Sequence, residues 1–210
     1  PLIEAHEVIE VLADWAIGEA LRQAAAWLDS GLKTAVSVNV SPRDFLRPDF
    51  VARLAALLAR HPRLRPGVLE LEILETTAIQ ETDAVALRIA QCAALGIAVT
   101  LDDFGTGYSS LTYLRRLPVA AVKLDRSFVR GILEESADRA IVQGVVVMTG
   151  GLGLRAIAEG VESVAHGWAL IALGCVLGQG YGIAKPLAPG DVPAWVASFE
   201  ARPPWGRARD

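Results

Sequence analysis

The chain has 210 residues, of which 52% are hydrophobic and 21% charged, with a formal net charge of −4 at pH 7. That is enough apolar material for a sizeable core. It is too acidic for a surface that neutralises a nucleic-acid backbone, so DNA and RNA polymers are not expected partners. Cys92 and Cys175 are too few for a disulfide framework and have no metal-ligand spacing, so they are expected as reduced core residues of a cytoplasmic domain.

No apolar run reaches the ~18 residues that span a bilayer, and no segment of the sequence reads as a signal peptide. The chain opens at Pro1 in a helix-like segment, as expected of a domain within a longer parent that could itself be membrane-tethered. Ile17, Leu21, Ala24 and Leu28 recur at helical spacing over about 5–30, with Gly31 at the C-terminal cap. Residues 35–40 are β-rich and stop at Ser41-Pro42, because proline lacks a ladder donor.

The cycle then repeats. Asp49 is positioned to cap a helix carrying Phe50, Leu54, Leu57 and Leu58 on one face. Strands are expected at 69–74, 97–101, 120–123, 155–158 and 175–178. The intervening helices fall at about 82–95, 110–116, 137–148, 163–173 and 191–199. The tail from Arg202 to Arg207 loses periodicity, which sets a domain at 1–199 and a tail or linker at 200–210. Short apolar strands alternating with amphipathic helices make an α/β fold with parallel strands, either a closed barrel or an open doubly wound sheet.

The strand ends favour the barrel. In order they run into Asn39, Glu72, the pair Asp102-Asp103, Lys123, Glu159 and Gln179. A parallel barrel gathers all such ends on one rim, whereas an open sheet converges only those near its switch point. Oxygen donors from Asn39, Glu72, Asp102 and Glu159 suit Mg²⁺ or Mn²⁺ rather than zinc. Adjacent Asp102 and Asp103 repel unless a cation lies beside them, and two ions would clamp an in-line phosphoryl displacement. Lys123 adds a compact charge for a phosphate oxygen. The glycines after Asp103 lack the third glycine of a dinucleotide fingerprint, and two aspartates facing a pyrophosphate would repel it.

The segment Leu101-Asp102-Asp103-Phe104-Gly105-Thr106-Gly107-Tyr108-Ser109-Ser110-Leu111 resembles the loop after the central strand of the EAL family of cyclic-di-GMP phosphodiesterases. Ser37 to Ser41, Leu69 to Glu75, Val122 to Phe128, Ala158 to Glu162 and Gln179 to Tyr181 match the same family in order. The resemblance implies a TIM-like (β/α) barrel, with the family's two N-terminal strands lacking from this chain. It also implies metal ligation by Asn39, Glu72, Asp102, Asp103 and Glu159, with Lys123, Glu159, Gln179 and Asp103 catalytic.

Glu75 and Glu162 join the cofactor-binding set. Glu75 would hold the loop 102–110 and couple metal binding to dimerisation through that loop and its neighbouring helix, and Glu162 would support the substrate side. The implied reaction opens cyclic di-GMP to linear pGpG with two Mg²⁺ or Mn²⁺ ions. A flanking sensory or diguanylate-cyclase-like domain fits the parent. The alternative is a cyclic-di-GMP-binding sensor that does not turn the ligand over. Glu19-Ala20-Leu21 spells the family's signature letters but lies mid-helix, away from any strand end. Trp15, Trp27, Trp168 and Trp195 fall on helices and are expected to pack. His6, His61 and His166 are expected at the surface or at helix ends, and Ser109-Ser110 are expected to cap the following helix.

Overall fold

The computed structural model describes residues 8–105 and 112–206. The chain divides into two compact units, Pro1–Asp102 with Gly107–Ala120 and Asp103–Thr106 with Ala121–Asp210. Both are built of parallel strands alternating with helices, as the sequence pattern requires.

In the first unit, α1 (Val8–Asp29) buries Ile17, Leu21 and Ala24, one face at helical spacing, and is followed by Gly31 at φ +90°. After β1 (Val36–Asn39), Pro42 ends the strand and opens a short helix, α2 (Pro42–Phe45). Its missing N–H is unneeded there, and the Ser41 side chain accepts from the Asp44 backbone N–H. Asp49 precedes α3 (Phe50–Ala59) but makes no side-chain cap, because its carboxylate is held by Arg47 at 2.9 Å.

Strand β2 (Leu69–Leu74) runs parallel to β1, with Val36 opposite Leu69 and Asn39 opposite Glu72. Then come α4 (Glu75–Gln80), α5 (Thr82–Ala94) and β3 (Ala98–Phe104), which pairs with β2 so that Glu72 faces Thr100 and Leu74 faces Asp102. Leu69, Leu71, Ile73, Val99 and Leu101 alternate onto one fully buried face.

The second unit holds β4 (Ala121–Leu124), α6 (Arg126–Arg130), α7 (Ser136–Gly151), β5 (Arg155–Ala158), α8 (Val164–Ala172), β6 (Leu177–Gly178) and α9 (Val192–Ala201). Its parallel register runs Ala121–Arg155 to Leu124–Ala158, then Ile157–Leu177 and Ala158–Gly178. Leu124, Val129, Val142, Ala158, Val161, Leu170 and Cys175 form its core. Ser163 caps α8, accepting from the His166 backbone N–H as its position suggests. Within the tail, Trp205 packs on Gly167 and donates from Nε1 to the Val164 carbonyl at 2.9 Å.

Two packing expectations change, and one histidine at a helix end is buried. Trp15 and Trp168, expected to pack, are 65% and 52% exposed. His166, expected at the surface or a helix end, is at a helix start but buried, with Nδ1 2.7 Å from Ser163 Oγ. His6 lies outside the described residues. Both cysteines are buried, and burial pushes the Cys92 thiol up to about 11, which keeps it unreactive. No helix among the described residues is long and apolar enough to cross a membrane.

Candidate active site

In the first unit the polar ends of three strands share a face. Asn39 and Glu72 are register partners, Thr100 is the partner of Glu72, and Asp102 lies two residues further along β3. Side chains alternate along a strand, so these four residues point the same way. Glu72 is 8% exposed, Asn39 is open to solvent and Asp102 is half-buried. Thr100 is fully buried, and its Oγ1 has no hydrogen-bond partner among the described residues.

Glu75 follows directly at the start of α4, buried, and accepts a hydrogen bond from the Tyr113 hydroxyl. Tyr113 stands just beyond residues 106–111, which lie outside the described residues. Most of the loop 102–110 that Glu75 is expected to hold therefore lies outside the described residues. Ser109 and Ser110, expected to cap the next helix, also lie outside.

In the second unit Asp103 has a left-handed backbone, φ +55°, alone among the described non-glycine residues. Strict alternation would turn adjacent aspartates to opposite faces. The left-handed turn breaks that alternation, and aspartate tolerates it better than most residues. The carboxylates of Asp103 and Glu159 come within 4.8 Å of one another. Gly105 follows at φ +98°, where a Cβ would lie 2.9 Å from the Phe128 ring, so this turn needs glycine twice over.

Lys123, on β4, is buried and reaches Glu159 Oε1 at 2.6 Å. Gln179 Nε2 donates to the same oxygen, also at 2.6 Å. The backbone explains the convergence: Glu159 N–H donates to the Leu124 carbonyl and Gln179 N–H to the Ala158 carbonyl, extending the β4–β5–β6 ladder past each strand end. Glu162 is exposed, 3.6 Å from Arg130, and lines with Glu159 and Gln179 an open cleft of about 500 Å³.

The sequence-predicted residues thus fall into two groups, Asn39, Glu72 and Asp102 in one unit and Asp103, Lys123, Glu159 and Gln179 in the other. Glu75 and Glu162 stand behind and beside them. Thr100 and Tyr113 went unforeseen. Thr100 could have been found from the two-residue period that ends in Asp102, whereas Tyr113 meets a partner 38 residues away and carries no local signal.

Both groups fit a hard divalent cation. Their donors are oxygens, and the carboxylates of Asp103 and Glu159 are close enough to repel one another without a cation nearby. The buried Thr100 hydroxyl beside Glu72 is a polar atom still lacking a partner. Lys123 and Gln179 occupy one oxygen of Glu159.

The EAL domain family profile matches residues 1–186. The chain is 39% identical over 198 residues to the bifunctional diguanylate cyclase/cyclic di-GMP phosphodiesterase MucR of Pseudomonas aeruginosa, covering 94% of this chain and 29% of that protein. It is 34% identical over 199 residues to the cyclic di-GMP phosphodiesterase PdeR of Escherichia coli, covering 95% of this chain and 30% of PdeR. The chain therefore spans about a third or less of these curated relatives.

Among solved structures, the PaMucR phosphodiesterase in its c-di-GMP complex superposes with a TM-score of 0.86 at 38% identity, over 91% of this chain and 78% of that one. The EAL domain of Mycobacterium smegmatis DcpA gives 0.83 at 32% identity, over 89% and 84%. The expected α/β class of TIM-like (β/α) barrel type is that of these neighbours. With the motif order read from the sequence, the parallel α/β units and the family match all in agreement, the chain belongs to the EAL domain family.

Proposed function

We propose that this chain is a divalent-metal-dependent phosphodiesterase domain that opens cyclic di-GMP to linear pGpG. The observation that carries the reading is the cluster of buried Lys123, part-buried Glu159 and exposed Gln179, with Asp103 beside it. The printed activities of MucR and PdeR support the choice of substrate. Asn39, Glu72, Asp102, Asp103 and Glu159 would hold Mg²⁺ or Mn²⁺, which when bound supplies Lewis-acid polarisation of the phosphodiester and activation of water.

The rest falls to the chain's own groups. Lys123 carries three N–H donors, one of them engaged by Glu159, and its compact charge is the group to meet a phosphate oxygen as charge builds there. Glu159 fixes the ammonium in place, and Gln179 holds the Glu159 carboxylate in a single orientation. The low exposure of Lys123 keeps water from screening that charge.

The test is incubation of the protein with cyclic di-GMP and Mg²⁺ or Mn²⁺, with products separated by chromatography. pGpG should accumulate and a chelator should stop it. Binding without product would replace the enzyme by a cyclic-di-GMP sensor.

Dimerisation through residues 102–110 and the neighbouring helix belongs to the same reading, as does a flanking sensory or diguanylate-cyclase-like domain in a cytoplasmic parent. Glu75→Ala removes the acceptor of the Tyr113 hydroxyl. It should weaken both the metal response of turnover and the dimer seen by sedimentation. Unchanged kinetics and dimer population would remove that role from Glu75.

A further inference from the structure

Four side-chain atoms are buried without a hydrogen-bond partner among the described residues. Two belong to Asp44 and Arg53, which are otherwise joined to each other at 2.5 Å, and a third is Thr77 Oγ1 on α4. The fourth, Thr100 Oγ1, is the one on the strand face that carries Asn39, Glu72 and Asp102. Thr100 stands within β3 at 1% exposure, and its apolar neighbours Val99 and Leu101 turn to the opposite face.

A buried hydroxyl with no partner is costly, and valine has the shape of threonine without it. A position serving packing alone would therefore gain nothing from threonine. Thr100 is the register partner of Glu72, and Glu72 is that of Asn39, so the three side chains form one row across β1, β2 and β3. Adjacent strands lie about 4.8 Å apart, which puts the Thr100 hydroxyl within reach of a Glu72 carboxylate turned toward it.

We propose that Thr100 is a positioning residue of the metal site: with a cation bound, its hydroxyl donates to one Glu72 oxygen and leaves the other for the ion. This rests on the reading of Glu72 as a metal ligand given above. A carboxylate that gives one oxygen to a cation still has lone pairs to satisfy on the other. In a buried site a fixed donor decides which oxygen is presented and holds the carboxylate in that pose. The Thr100 hydroxyl has no other partner among the described residues to give up for this bond.

The experiment is calorimetric titration with Mn²⁺, without substrate, on the wild type, Thr100→Val, Thr100→Ser and Glu72→Gln. The thermal midpoint of each metal-free protein is recorded beside it. Glu72→Gln should weaken most the binding step that Glu72 serves, which identifies that step. Loss of a hydrogen bond to a metal-ligating carboxylate should weaken the same step about tenfold in Thr100→Val. Thr100→Ser keeps the hydroxyl and should stay within about threefold of the wild type. The midpoint of metal-free Thr100→Val should equal or exceed that of the wild type, because a buried polar atom without a partner is gone. A purely structural role gives the reverse pairing, a lower midpoint with unchanged affinity.

Mn²⁺ affinity in Thr100→Val equal to that of the wild type overturns the positioning role and leaves the metal site standing. Equal weakening in Thr100→Val and Thr100→Ser also overturns it, because the hydroxyl would then not be the group that acts. A wild type that binds no Mn²⁺ overturns the metal-ligand reading itself, and this role with it.

Discussion

Glu159→Gln should lower turnover of cyclic di-GMP by about a thousandfold, the upper range for loss of one preorganised electrostatic group in an active site. The side chains are nearly isosteric, so the cleft keeps its shape and the charge alone is lost. Lys123, 5% exposed at its side chain, would then hold an ammonium whose 2.6 Å carboxylate partner is gone. Removing the carboxylate of a buried pair costs up to about 3 kcal/mol, so urea unfolding should show destabilisation beside the catalytic loss.

Gln179→Ala removes only a donor to the same Oε1 atom, and should reduce kcat far less. Glu159→Gln with near wild-type turnover would dismiss Glu159 as both ligand candidate and holder of Lys123. Asp102→Ala should likewise abolish turnover, and retained activity would displace Asp102 from the metal set.

The second large effect concerns stability beside Asn39. Asp44 is fully buried on α2 and is held by Arg53 at 2.5 Å, with Asp14 at 3.3 Å and Asp49 at 3.8 Å from the same guanidinium. Arg53→Ala should cost about 3 kcal/mol in urea unfolding, because it strands a buried carboxylate. A loss under about 1 kcal/mol would mean the group behaves as an exposed pair.

The pH dependence has a definite sign. Burial pushes the Asp44 carboxyl above its ordinary value, and Arg53 pulls it back only in part. The folded state therefore binds more protons than the unfolded one between the ordinary carboxylate value and the raised one. Stability from this group falls as pH rises through that window. Removing Arg53 lifts the folded value further, so the penalty of Arg53→Ala should be largest near neutrality and shrink on acidification. Asp44→Asn should abolish that trend.

Much of the site was legible because a parallel strand writes its chemistry at its end. Asn39, Glu72, Asp102, Lys123, Glu159 and Gln179 each belong to or follow a short apolar run, and the structure sets each within the last three residues of a strand or just past it. The short helices α2, α4 and α6 were missed, since runs of four to six residues are too short to repeat the helical period. Ser41 and Pro42 were read as a stop, and they are also a helix start. Trp15 and Trp168 were read as packing from their helical placement, but large apolar side chains do also occur at the surface.

The sequence by itself determined the α/β alternation, the strand ends and the family, because period-two and helical patterns are settled within about ten neighbouring residues. Only the tertiary structure decided that Asp103 turns left-handed, that Lys123 and Gln179 share one oxygen of Glu159, and that glycines fasten the Tyr181 turn against the loop of Glu159. These features depend on backbone torsions and on contacts between segments far apart in the chain. No local pattern encodes them, since each is selected by the packing of the folded unit as a whole.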